Sequence, residues 1–192
     1  MTRAHETGRS AEEIQHLGRL IEKGLGGDVL LVTGGVSVGD YDLVGRALAD
    51  AGMDLLFHKV RVKPGKPVLA GRRGSCLVIG LPGNPVSAYT GFALFVAPTL
   101  RRILGYRRWA NQPVTAVLQV ALKQTAGRTT YHLARLEAGD GSLVARDVGS
   151  KGSGDLLSMT RANGFVIVPA ETTEVARGSQ VPALLWRDFQ WR

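Results

Sequence analysis

Residues 33–42 read TGGVSVGDYD, residues 63–67 KPGKP and residues 81–87 LPGNPVS, and each stretch follows a short apolar run. In the first, Gly34, Gly35 and Gly39 permit left-handed backbone and close approach of a ligand, and Ser37 adds a hydroxyl. Asp42 falls in the first turn of the next helix, where the dipole favours a carboxylate and where that carboxylate can hold Mg²⁺ beside phosphate oxygens. A plain glycine turn with Asp40 or Asp42 as a cap fits that loop equally well. In the second, prolines restrict the backbone around Lys63 and Lys66, so two ammonium groups emerge in fixed directions and suit an anion clamp. A solvated basic turn is the alternative. Alternation along a strand from Leu55 to Val62 places Lys59, Arg61 and Lys63 on one face and favours the clamp. In the third, Pro82, Gly83, Asn84 and Pro85 lead into a helix N-terminus with free amides, joined by the Ser87 hydroxyl. An ordinary capped helix start also accounts for Asn84 and Pro85. Open α/β sheets bind ligands outside the carboxyl ends of their strands, so the three loops together predict one pocket for a phosphorylated ligand and its metal ion.

The elements that carry these loops have regular patterns. Ser10 to Glu13 has the capping-box pattern, and Ile14, Leu17, Leu20, Ile21 and Leu25 follow at helical spacing. Val29 to Val32 is a short continuous apolar run, as expected for a parallel strand buried on both faces. A helix bearing Leu43, Val44, Ala47 and Leu48 ends at Gly52, and Val68 to Ala70 with Ser75 to Ile79 flank a hairpin turn. A helix is expected from Pro85 to Leu104, kinked or broken at Pro98. After Gly105 the texture becomes that of short strands: 114–122, 130–137, 143–147, 165–169 and 181–186. The chain thus reads as an α/β, partly doubly wound domain over residues 1–107, then a small, mostly β domain over residues 108–192.

Composition narrows the class. The chain has 192 residues, 44% hydrophobic and 21% charged, and the longest apolar stretch is far shorter than a membrane span. One cysteine, Cys76, excludes a disulfide framework and suits a reducing cytoplasm. Net charge is +8, but residues 1–105 carry 13 basic and 9 acidic side chains, so about half the excess lies in each part. With 6% aromatics and no basic run, the charge points to anionic small molecules rather than nucleic acid. His5, His16, His58 and His132 show no ligand spacing with Cys76 or the carboxylates, so zinc chemistry has no support.

In this order and at these intervals, GGVSVGDYD, KPGKP and GLPGNPVS resemble the molybdopterin molybdenumtransferase family, bacterial MoeA and the E domain of gephyrin. Gly152-Ser153-Gly154, Leu156-Leu157-Ser158 and Ala162-Asn163-Gly164 are similar to the family's C-terminal stretch. The resemblance implies a MogA-like molybdopterin-binding domain followed by the family's C-terminal β domain. It implies insertion of molybdate into adenylylated molybdopterin, Mg²⁺-dependent, with release of AMP, in the cytoplasm and in a homodimer or other homo-oligomer. By motif, Asp42 would hold Mg²⁺ and face the pyrophosphate, and Lys63, Lys66 and Pro67 would line the molybdate or pterin-phosphate pocket with Lys59 close behind. Gly34, Gly35, Ser37, Gly39, Pro82, Gly83, Asn84, Pro85 and Ser87 would cradle phosphate or nucleotide, and Ser153 would approach the oxyanion from the β domain.

Two departures from the family pattern stand out. Two further domains and the first strand and helix of the α/β domain precede this region in the family and are expected to be missing here, or carried by a separate chain. In Gly127-Arg128-Thr129-Thr130-Tyr131-His132-Leu133, Leu133 stands where the family has an oxyanion-binding arginine, and Arg135, two residues on, is the expected substitute. A non-catalytic pterin-binding or scaffolding module is the alternative function. A molybdopterin adenylyltransferase fits less well, because it ends without the β domain.

Overall fold

The computed structural model describes residues 11–36, 43–139 and 141–186. Helix α1 (Ala11–Gly24) leads to strand β1 (Val29–Thr33), helix α2 (Leu43–Asp50) and strand β2 (Asp54–His58). The two-residue β3 (Val62–Lys63) follows, then the hairpin of β4 (Leu69–Arg73) and β5 (Cys76–Leu81). The first sheet has the order β1-β5-β4-β2, with β1 parallel to β5 and the other neighbours antiparallel. The carboxyl ends of β1, β2 and β5 therefore share one edge of the sheet.

Period two along β5 distributes its side chains to two cores. Cys76 and Val78 face α1 and α2, packing with Ile21, Val44 and Leu48. Ile79 and Leu81 face the opposite helical layer, packing with Val68 and Val96. That layer is one long helix in three pieces: α3 (Pro85–Gly91), a π-helical turn (Phe92–Val96) and α4 (Ala97–Ile103). The expected break at Pro98 takes this form. Proline has no N–H for a carbonyl four residues back, and the Ala97 N–H donates to Phe92 O, five residues back.

The second unit is a closed barrel. Strands β6 (Val114–Leu118), β9 (Leu143–Asp147), β8 (Thr129–Ala138), β10 (Gly164–Val168) and β12 (Gln180–Leu185) pair in a ring, because β8 and β12 both pair with β10. Closure removes the free sheet edges and encloses a core of Ala116, Leu118, Ala134, Leu136, Val166 and Val181. The expected strand 114–122 divides: β6 ends at Leu118, and β7 (Leu122–Lys123) turns aside to pair with β11 (Glu174–Val175). A short helix, α5 (Leu156–Arg161), lies between β9 and β10.

The expected single strand from Leu55 to Val62 is not formed. Lys59 has φ 75°, which leaves the β region, and the chain curls so that Lys59 N–H donates to Val68 O and Val60 N–H to Lys66 O. Val62 and Lys63 then pair in parallel with Thr129 and Thr130 of β8. Lys59, Arg61 and Lys63 consequently do not share a strand face. The KPGKP turn is welded to the barrel instead, and the Arg61 guanidinium adds hydrogen bonds to Gly127 O.

Candidate functional site

A cavity of about 570 Å³ lies where the KPGKP and LPGNPVS loops meet the barrel. From the first unit come Lys63, Lys66, Pro67, Pro82, Asn84 and Ser87, all expected from the sequence. Gly65 sits at φ 109°, and a Cβ there would lie 3.4 Å from Ser87 O, so a glycine lets the lysine turn pack on the start of α3. The barrel contributes Arg128 ahead of β8, His132 and Leu133 on it, Asp147 at the end of β9, and Lys151 and Ser153 from the loop that follows.

Ser153 joins the two units. Asn84 Nδ2 donates to Ser153 Oγ at 2.9 Å, and the Val86 N–H donates to Ser153 O at 3.0 Å. Asn84 stands at the N-cap position of α3, but its side chain makes no capping bond; it reaches across to the barrel. The loop carrying Ser153 is shaped by Asp155. Its carboxylate accepts from Lys151 N–H at 2.9 Å, Ser158 N–H at 3.0 Å and Ser158 Oγ at 2.6 Å. These hydrogen bonds hold the Asp155 carboxyl down at about 2.

Cations dominate the cavity. Among the described residues, Lys63, Lys66, Arg128 and Lys151 have no carboxylate partner, and Asp147 is the only acidic residue in the lining. Lys123 also lines it and is paired with Glu174. Unpaired like charges facing one space raise the local concentration of anions. Burial holds the His132 imidazole below the ordinary histidine range; Asp147 opposes this and Lys63 adds to it. Among the described residues, its buried Nε2 meets no hydrogen-bond partner.

The other expected residues among those described lie outside the cavity lining, among them Lys59, Gly34, Gly35, Gly83 and Pro85. The Gly34 N–H donates to Leu81 O at 2.9 Å. A Cβ on Gly83 would lie 3.4 Å from Gly34 Cα, so those two glycines let the first and third loops touch. A Cβ on Gly35 would lie 2.6 Å from Val44 Cγ2. Arg135, the expected substitute for an arginine at Leu133, is exposed, outside the lining, and paired with Glu137 at 3.0 Å. Leu133 itself is buried with Val86, Phe165 and Leu184. Ser37, Gly39 and Asp42 lie outside the described residues.

A family model described as a probable molybdopterin binding domain matches residues 3–102, and one described as the MoeA C-terminal region (domain IV) matches residues 115–186. The chain belongs to the MoeA family. Its α/β unit is the MogA-like molybdopterin-binding domain, and its barrel is the MoeA C-terminal domain. The chain is 35% identical over 161 residues to a Bacillus subtilis molybdopterin molybdenumtransferase, covering 84% of this chain and 37% of that protein. It is 32% identical over 182 residues to a Dictyostelium discoideum gephyrin, covering 82% of this chain and 25% of the relative. A crystal structure of a molybdopterin biosynthesis MoeA protein from Pyrococcus horikoshii superposes with a TM-score of 0.74 at 32% identity, covering 91% of this chain and 41% of the other. The chain thus spans less than half the length of these relatives. Among the described residues, no helix is long and apolar enough to cross a membrane.

Proposed function

We propose that this chain works in molybdenum cofactor biosynthesis and holds an adenylylated molybdopterin and molybdate for molybdenum insertion with release of AMP. The observation that carries this is the convergence of unpaired Lys63, Lys66, Arg128 and Lys151 on one cavity in a MoeA-family chain. Cleaving a phosphoanhydride requires an oxygen to bond to phosphorus while the departing phosphate takes the bonding electron pair. Fixed positive charge offsets the charge gathering on those oxygens, and no protein nucleophile is needed. Lys63 and Lys66 supply that charge from a turn anchored on both sides. Asn84 and Ser153 fix the distance between the walls.

Among the described residues, no three His, Cys, Asp or Glu side chains gather into a metal site. Among the described residues, Asp147 is the one that offers a carboxylate to the cavity. Mg²⁺ is commonly held by one or two carboxylates together with substrate phosphates, so it does not require a three-ligand protein cluster. Asp42 is the carboxylate that the family resemblance assigns to the ion.

The test incubates the chain with adenylylated molybdopterin, molybdate and Mg²⁺ and measures AMP. AMP release that depends on molybdate and falls in Asp42→Asn supports insertion. Ligand binding without AMP release at high protein concentration would instead identify a non-catalytic binding module, and neither binding nor release would sink both readings.

A further inference from the structure

We propose that Lys151 is an anion-contacting residue of this cavity and that Asp155 is its positioning residue, acting through the 151–155 turn; this rests on the proposed anion-binding function. Lys151 lines the cavity from the barrel unit, together with Lys63 and Lys66 from the α/β unit. It has no carboxylate partner among the described residues, so its ammonium is available to an incoming oxyanion. Burial of Leu133 leaves that part of the wall apolar, and Arg135 is held away by Glu137. Lys151 is the cation that the adjoining loop brings to the same space.

Hydrogen bonds tie the loop to the start of α5. Asp155 Oδ2 accepts the Lys151 N–H at 2.9 Å, while Oδ1 accepts the Ser158 N–H at 3.0 Å. Ser158 is fully buried, so the carboxylate ties Lys151 to a fixed point at the start of α5. Gly152 at φ 138° permits the turn between them, and its carbonyl accepts from Asp155 N–H and from Ser150 Oγ. Ser153 then docks on Asn84 and Val86. A lysine on so closed a turn loses less freedom when it meets an anion than one on an open loop.

The test is calorimetric titration of the full chain with sodium molybdate, and separately with AMP. Lys151→Met is expected to weaken the affinity for at least one of these anions about tenfold, as loss of one charge-assisted hydrogen bond would, with Lys151→Arg retaining most of it. Asp155→Asn is expected to weaken the same anion several-fold in the parent chain and to have no further effect in Lys151→Met. Ser158→Ala keeps the Lys151 contact, so it should lower the melting temperature without changing affinity. Parent-like affinity in Lys151→Met overturns the proposal while leaving the cavity's function intact. Equal effects of Asp155→Asn in both backgrounds overturn the positioning role. A parent chain that binds neither anion overturns the functional reading beneath it.

Discussion

Asn84 Nδ2 and Ser153 Oγ meet at 2.9 Å across the boundary between the α/β unit and the barrel. A hydrogen bond of this kind contributes about 1 kcal/mol net. Its larger consequence is geometric, because it joins the proline-glycine loop to the turn carrying Lys151. Asn84→Ala and Ser153→Ala should each lower stability by about 1 kcal/mol and weaken molybdate binding. In the double variant the losses should be less than additive. Full additivity in urea unfolding would mean that the two side chains do not act as a pair.

Leu133→Ala should destabilise the fold by about 2–4 kcal/mol, because it empties space between Val86, Phe165 and Leu184 where both units contribute to one core. Chemical denaturation measures this directly. A loss below about 1 kcal/mol would show that this residue is not a packing element of the interface.

Gly35→Ala should cost about 1–3 kcal/mol without altering anion affinity in the folded protein. The position has φ 67°, and the new Cβ would lie 2.6 Å from Val44 Cγ2. An unchanged melting curve, or a selective loss of ligand affinity, would return Gly35 to the ligand-cradling role expected from the sequence.

Asp155 makes stability depend on pH in a defined direction. Its carboxyl lies at about 2 in the folded chain, below the ordinary aspartate value of about 3.9. The stabilisation is therefore fully present above the ordinary value and is lost as pH falls towards 2. Asp155→Asn should flatten the stability profile in that window. His132 contributes at higher pH: its folded value lies below the ordinary histidine range, so stability falls as pH drops through that range. An acid limb identical in parent and Asp155→Asn would contradict the first assignment.

The loops lining the cavity are largely legible in the sequence because Gly, Pro and Lys at strand ends have few structural substitutes. Lys63, Lys66, Asn84, Ser87 and Ser153 all reach the cavity. The curl at Lys59 was not legible, since a lysine at positive φ carries no local signal and a strand pattern runs through it. The barrel wall was hidden for a topological reason. Arg128, Asp147 and Lys151 come together through the antiparallel pairing of β8 with β9, which alternation within each strand cannot reveal. Arg135 shows the limit of same-face reasoning: it shares a strand with Leu133, but it lies beyond the cavity and pairs with its own neighbour, Glu137.

The most direct test of the central claim is a molybdate titration of the parent chain and of Lys63→Met/Lys66→Met, with folding checked by circular dichroism. Loss of two charge-assisted contacts predicts a fall in affinity of about a hundredfold, with the fold intact. The same affinity in a folded double variant would contradict the assignment of this cavity as the ligand site.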